Sequence, residues 1–325
     1  MAGRLEGSGT TTGAAGQATV GSCYGFGVTS SVPLQFVRSG SGVPLQIAEE
    51  RLDDPPGSTR VALFTGHPER PFRAELRQVG GELRLQVNEE GWFGIDTGSG
   101  VVTMPPDPDE VHREERLWSY PASLCLRARR DLAVHAAAVE VAGQALVFVA
   151  PGGTGKTTLA AAFHQAGYRV LAEDISCCRV TSTPVLFPGP ALLRMRPDSA
   201  ERMDLTGTTV VARDQWRSHL SIDGHRRGTG DPVPIGGVIL LKNSEKRDRL
   251  TPLEASVAIR NLYAMSFKLP LKEDQAWCFS EVVGLVGAVP GWQLERRRSY
   301  ETLPLLVEQI VATCCPASVP GASSA

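Results

Sequence analysis

From Cys23 to about Arg130, apolar and polar residues alternate in short stretches: VPLQFV (32–37), RVALFTG (60–66), FRAELRQV (72–79), GELRLQV (81–87), WFGIDT (92–97) and GVVTM (100–104). Clusters of Gly, Pro, Asn and Asp separate them. A period of two bounded by turn residues predicts strands, so residues 21–128 are expected to form a β-rich N-terminal region. The segment 109–131, DEVHREERLWSYPASLCLRARRD, has a helical middle.

The texture then changes. LAVHAAAVEVAGQALVFVA (132–150) consists of two apolar runs on either side of Ala142-Gly143, a tight-turn signal between strands. Beyond it, helices are predicted at TTLAAAFHQAG (157–167), PLEASVAIRNLYAMSF (252–267) and ETLPLLVEQIVATC (301–314), and strands at YRVLAED (168–174) and PIGGVILLK (234–242). This alternation predicts an α/β domain over residues 129–315, with its boundary in 126–132. The Gly-, Ser-, Thr- and Ala-rich start (1–20) and the ending PASVPGASSA (316–325) hold too few apolar residues to offset the entropy of ordering, and are expected to be disordered tails.

Composition narrows the function. The formal net charge of −2 provides no basic face for nucleic acid. The first twenty residues lack a signal peptide's apolar core, and no run approaches the roughly 20 apolar residues needed to cross a bilayer, so a cytoplasmic protein without a membrane partner is expected. Seven cysteines include two adjacent pairs, Cys177-Cys178 and Cys314-Cys315, a spacing that suits neither a disulfide ladder nor a zinc site. They read as idle or buried thiols.

The strongest local signal is APGGTGKTTLA, Ala150 to Ala160. An apolar strand, a glycine loop and a helix follow in the order of a P-loop, with Ala150 where the motif's first glycine usually stands. Gly152, Gly153 and Gly155 permit backbone angles that gather N–H groups on the concave side of the loop, and the following helix adds its positive end. Pro151 to Thr158 (Pro151, Gly152, Gly153, Thr154, Gly155, Lys156, Thr157, Thr158) would thus hold a polyphosphate. Lys156 supplies a charge to the β and γ phosphates, and the Thr157 hydroxyl suits Mg²⁺. ATP with Mg²⁺ is the expected ligand, with GTP the alternative.

YRVLAED reads as a strand ending on Glu173 and Asp174, and strand ends are where open α/β sheets place ligands. One carboxylate would serve Mg²⁺ and the other would take a hydroxyl proton. Pairing the two strands around a two-residue turn sets Val141 opposite Gln144, Val139 opposite Leu146 and His135 opposite Ala150, at the mouth of the glycine loop. A histidine there suits a phosphate contact or the tuning of the base.

Together, VHAAAVEVAGQALVFVAPGGTGKTTLAAAFHQAGYRVLAEDI (134–175) resembles the catalytic domain of the HPr kinase/phosphorylase-like family. The resemblance is to a histidine-bearing strand, hairpin, P-loop and acid-paired strand in this order. It implies an α/β P-loop kinase domain related to the phosphoenolpyruvate carboxykinase nucleotide fold, with an ATP-dependent phosphotransferase activity. It implies Glu173 as base, Asp174 with Thr157 at the metal, and His135 assisting. The chain departs from the family in having Glu-Asp for the usual Asp-Asp, which leaves an exchange of roles between the two acids open. It also has no E-x-R-G-x-G signature, so neither HPr as substrate nor the phosphorylase reaction carries over.

The expected activity is transfer of the γ-phosphoryl group of ATP to a hydroxyl on a peptide, protein or small molecule, as in a peptide-modification or other biosynthetic pathway. The alternative is a nucleotide-binding switch or adaptor without transfer. The sequence leaves self-association into a homo-oligomer open. Among weaker candidates, RDQWRSH (213–219) and HRRGTGD (225–231) read as solvated basic loops and ERRRS (295–299) as an exposed charge run. Arg194 and Arg196 alternate as in a strand, one facing phosphate and one facing water.

Overall fold

The computed structural model describes residues 19–66 and 72–315. The expected tails lie outside them, except that Thr19 and Val20 already belong to the first strand. The chain forms a mixed α/β structure with two large sheets and a small one.

The first sheet contains β1 (Thr19–Cys23), β2 (Phe26–Ser30), β3 (Val43–Glu49), β4 (Thr59–Thr65), β5 (Arg73–Val79), β6 (Glu82–Val87), β7 (Trp92–Asp96) and β8 (Val101–Met104), ordered β1-β2-β3-β8-β7-β6-β5-β4. Helices α1 (Glu110–Leu117) and α2 (Tyr120–Ala128) follow. The predicted strand VPLQFV is absent: residues 32–37 form an irregular link. The amides of Gln35 and Phe36 donate to the buried Glu114 carboxylate of α1 in place of a neighbouring strand.

The second sheet begins with β9 (Leu132–Val141) and β10 (Gln144–Val149). Ala142 and Gly143 both have positive φ, 51° and 74°, the signature of the type I′ turn that matches strand twist. The register is the expected one, Val141 opposite Gln144 and Leu146 opposite Val139. After α3 (Lys156–Gln165) come β11 (Arg169–Ala172), β12 (Ile175–Arg179) and β13 (Val185–Phe187). A small sheet is built from β14 (Leu192–Met195), β15 (Thr208–Arg213) and β16 (Ser218–Ile222), with α4 (Pro197–Met203) and α5 (Gly224–Arg227) beside its turns. The chain closes with β17 (Val233–Asn243), β18 (Arg249–Pro252), α6 (Ala255–Met265), α7 (Lys272–Ala288), β19 (Gly291–Arg296) and α8 (Leu303–Cys314). None of these helices is long and apolar enough to cross a membrane.

β10, β17 and β19 run parallel. β17 also pairs near its start with β13, so the sheet closes back on itself. Burial on both faces explains why ALVFV is apolar without alternation. Leu146, Phe148 and Ala150 face the core shared with α3, α8 and the small sheet. Ala145, Val147 and Val149 face the core shared with α6 and α7. The N-terminal core crosses the sequence boundary expected near residue 128, because Ala133, Cys177, Phe187 and Leu269 pack into it. All seven cysteines are buried and none forms a disulfide; burial pushes the thiols of Cys125, Cys178 and Cys314 up to about 12.

Candidate functional site

The glycine loop leaves the C-terminal end of β10 and enters α3, whose N-cap is Gly155 at φ 99°. A left-handed residue is needed here to turn the chain from strand into helix, and glycine adopts it without a Cβ penalty. The first-turn amides of α3 have no intrahelical partner and sit in a cleft of about 300 Å³. Lys156, 7% exposed, donates to the Ala150 carbonyl at 2.7 Å and to His135 Nε2 at 3.0 Å. Burial lowers its ammonium below the usual range, and the nearby Asp174 and Glu173 charges only partly restore it.

An ammonium has only hydrogens to offer, so His135 Nε2 accepts and Nδ1 carries the ring hydrogen. That nitrogen lies 3.0 Å from both the carbonyl and the carboxylate of Asp174. The hairpin thus brings His135 beside Ala150 and Lys156, as the strand pairing predicted.

The acidic pair differs from the expected strand end. β11 stops at Ala172, Asp174 takes the left-handed conformation at φ 72°, and the chain resumes as β12, both strands pairing with β9. Asp tolerates this conformation better than most residues. In an unbroken strand, adjacent side chains point to opposite faces; the bend lets Glu173 and Asp174 meet one guanidinium. Arg194, on β14, reaches Glu173 Oε2 with Nε (3.1 Å) and Asp174 Oδ2 with Nη2 (2.5 Å). The Thr157 hydroxyl donates to Glu173 Oε1 at 2.6 Å, so it meets Glu173 rather than Asp174.

Burial alone would raise the Asp174 carboxyl. The adjacent Arg194 charge and the His135 hydrogen bond outweigh it and hold the acid well below the usual carboxylate range. Burial likewise opposes the Arg194 charge, but Asp174, Glu173 and Glu115 together keep it protonated. Glu115, on α1, bridges Arg194 Nη1 (2.5 Å) and His219 Nε2 (2.8 Å). Arg194 and His219 are themselves cross-strand partners on β14 and β16.

The basic segments are solvated only in part. In ERRRS, Arg297 and Arg298 are exposed as expected, but Arg296 is 3% exposed, donates to the carbonyls of Thr154 and Gly155, and leaves its Nε buried without a partner among the described residues. Burial and the neighbouring Arg298 charge lower its guanidinium. Arg298 donates to the Gly153 carbonyl. RDQWRSH is the β15–β16 turn, exposed from Arg213 to Trp216 as expected, but its His219 lies in β16 and is 5% exposed. In HRRGTGD, Arg226 and Arg227 donate to backbone carbonyls, including those of His164 and Gln35. Arg194 and Arg196 both line the cleft. Glu115, His219 and Arg296 carried no local signal, since their partners lie far away in sequence.

The cleft is strongly basic within a chain of net charge −2. Arg194, Arg196, Arg217, Arg296, Arg298 and Lys156 line it against the carboxylates Glu173, Asp174 and Asp198. Among the described residues, no group of three or more His, Cys, Asp or Glu side chains gathers to hold a metal. The paired oxygens of Thr157 and Glu173 suit a hard cation whose remaining ligands come from phosphate and water.

No family model matches this sequence, and no curated protein matches it. Among solved structures, the chain is similar to the Hpr(Ser) kinase/phosphatase from Coxiella burnetii, at 11% sequence identity over 56% of this chain and 94% of that one, with a TM-score of 0.30.

Proposed function

We propose that this protein is a Mg²⁺- and ATP-dependent kinase of P-loop type that transfers the γ-phosphoryl group to a hydroxyl. The observation that carries this reading is the convergence of five arginines and Lys156 on a glycine loop, beside a Thr157–Glu173 pair, in a chain with no overall positive charge. The loop amides and the α3 N-terminus hold phosphate oxygens, and Lys156 with the arginines neutralises the charge that accumulates during transfer.

Thr157 and Glu173 would hold Mg²⁺, which would supply neutralisation of phosphate charge. This exchanges the roles that the family resemblance gives the two acids. Asp174 orients the acceptor hydroxyl and takes its proton; His135, bonded to Asp174 and Lys156, positions both. The hydroxyl oxygen forms a bond to the γ-phosphorus as the bond from that phosphorus to the β–γ bridging oxygen breaks. ADP leaves with the electron pair.

A second reading, a nucleotide-binding switch, is favoured by one observation: Arg194 holds Asp174 far below the range of an effective base. Calorimetry with Mg·ATP and transfer of label from γ-labelled ATP separate the two. Lys156→Ala is expected to weaken ATP binding by about 2 kcal/mol, roughly thirtyfold. Asp174→Asn is expected to bind ATP within a few-fold of wild type but to lose transfer by about 10²–10⁴. ATP binding without transfer to any hydroxyl acceptor would select the switch, and no affinity for purine triphosphates would overturn both readings.

A further inference from the structure

A second cleft, of about 320 Å³, lies on the far side of His135 and Asp174, which line both it and the basic cleft. Its wall is an aromatic cluster brought together by three distant segments. Phe64 of β4, Tyr120 of α2 and Phe267 after α6 have ring centroids 5.6, 6.2 and 6.0 Å apart in the three pairings. Met265 adds a flexible apolar side chain. One cleft is therefore cationic and the other apolar, and the carboxylate of Asp174 sits where they meet.

The serine hydroxyls and the lysine on the apolar side are already engaged, which leaves the Tyr120 hydroxyl as a donor to a ligand. Ser119, Ser123 and Ser266 each donate their hydroxyl hydrogen to a backbone carbonyl, those of Arg116, Ser119 and Leu262. Lys268 donates to the carbonyls of Tyr263 and Ser266, and its ammonium lies over the Tyr263 ring. A peptide entering this cleft would bring more carbonyls than the single Tyr120 hydroxyl can serve, at about 1–3 kcal/mol for each one buried unpaired. A compound with an apolar body and one terminal hydroxyl meets no such cost. A volume near 300 Å³ is at the small end of ligand sites.

We propose that this cleft is the acceptor site, and that the acceptor is a small uncharged alcohol with a ring-sized apolar body, its hydroxyl directed at Asp174. The inference rests on the kinase reading above. The body packs on Phe64, Tyr120 and Phe267. The hydroxyl oxygen attacks the γ-phosphorus of ATP held in the basic cleft, its proton passes to Asp174, and the products are ADP and an alkyl phosphate.

The test uses the full chain and 2-phenylethanol, 3-methyl-1-butanol, glycerol and acetyl-Phe-Ser-amide as probes. Label transfer from γ-labelled ATP is expected to favour the two apolar alcohols over glycerol and the peptide. Saturation-transfer NMR, run without nucleotide, is expected to detect 2-phenylethanol on the protein. Phe64→Ala and Phe267→Ala should each raise its dissociation constant on the order of tenfold, and Phe64→Leu, which keeps an apolar side chain there, should raise it less. Unchanged calorimetric ATP affinity shows that the variants are folded. Preferential labelling of glycerol or the peptide, or 2-phenylethanol binding indifferent to both alanine variants, overturns this inference while leaving the kinase reading standing. Loss of ATP binding in the wild type overturns the kinase reading instead, and the NMR measurement still decides whether the cleft takes apolar alcohols.

Discussion

Gly153 and Gly155 are two letters of one motif, yet they do different jobs. Both have positive φ, 75° and 99°. A methyl group added at Gly153 would point into open space, whereas at Gly155 it would collide with the Arg296 guanidinium. Gly153→Ala is therefore expected to lose only the backbone preference, about 1 kcal/mol. Gly155→Ala should lose that and also displace Arg296 from the Thr154 and Gly155 carbonyls, weakening the proposed ATP binding more than tenfold while costing roughly 2–3 kcal/mol of stability. Urea unfolding and calorimetry on the two variants check the contrast. The sequence makes the glycines legible because their requirement is local. The arginine beneath them is not, because nothing within ERRRS distinguishes a side chain that reaches a loop 141 residues away from one in water.

At the scale of elements, the tetrapeptide Val-Pro-Leu-Gln occurs twice, at 32–35 and 43–46, and takes two conformations. The second copy lies in β3, between β2 and β8. The first is a link whose amides are taken by Glu114. Local pattern reads both alike; the difference lies in a carboxylate about 80 residues downstream. On α1, Val111, Glu114 and Leu117 share the buried face, so an acid occupies a position that helical periodicity reserves for an apolar residue. Glu114 is 1% exposed and also accepts from Trp118 Nε1 at 3.0 Å. Burial raises its carboxyl even against these donors. Glu114→Ala leaves the Gln35 and Phe36 amides unpaired in the interior and is expected to destabilise the fold by about 3 kcal/mol, read as a lowered urea midpoint. The β9–β10 hairpin was legible in full because its turn fixes its register. The break at Asp174 was not, because YRVLAEDISCC has no glycine or proline to mark it.

At the scale of the whole molecule, Glu115 ties the region before β9 to the acidic pair through Arg194. Burial would raise the Glu115 carboxyl, but the His219 hydrogen bond and the Arg194 charge outweigh it and hold it at about 2. A folded-state value below the unfolded one means that the stabilisation is complete above about pH 5 and is lost as pH falls toward 2. Glu115→Gln should lower stability at pH 7 by at most about 3 kcal/mol and flatten the decline between pH 5 and pH 2, as measured by urea unfolding across that range. No sequence pattern announces this link, since Glu115 lies 79 residues from Arg194 and 104 from His219. The alternation of strand and helix was legible, as was the order of histidine, loop and acids; which charges face each other across the sheets was not. The closure of the second sheet through β17 has a further consequence for colloidal behaviour. With β10 flanked on both sides, the outermost strand beyond β19 is β18, four residues long, carrying Arg249 and ending on Pro252. Short, charged and proline-terminated, it is a poor template for a strand from another copy, so that end of the sheet resists the edge-to-edge association that drives aggregation.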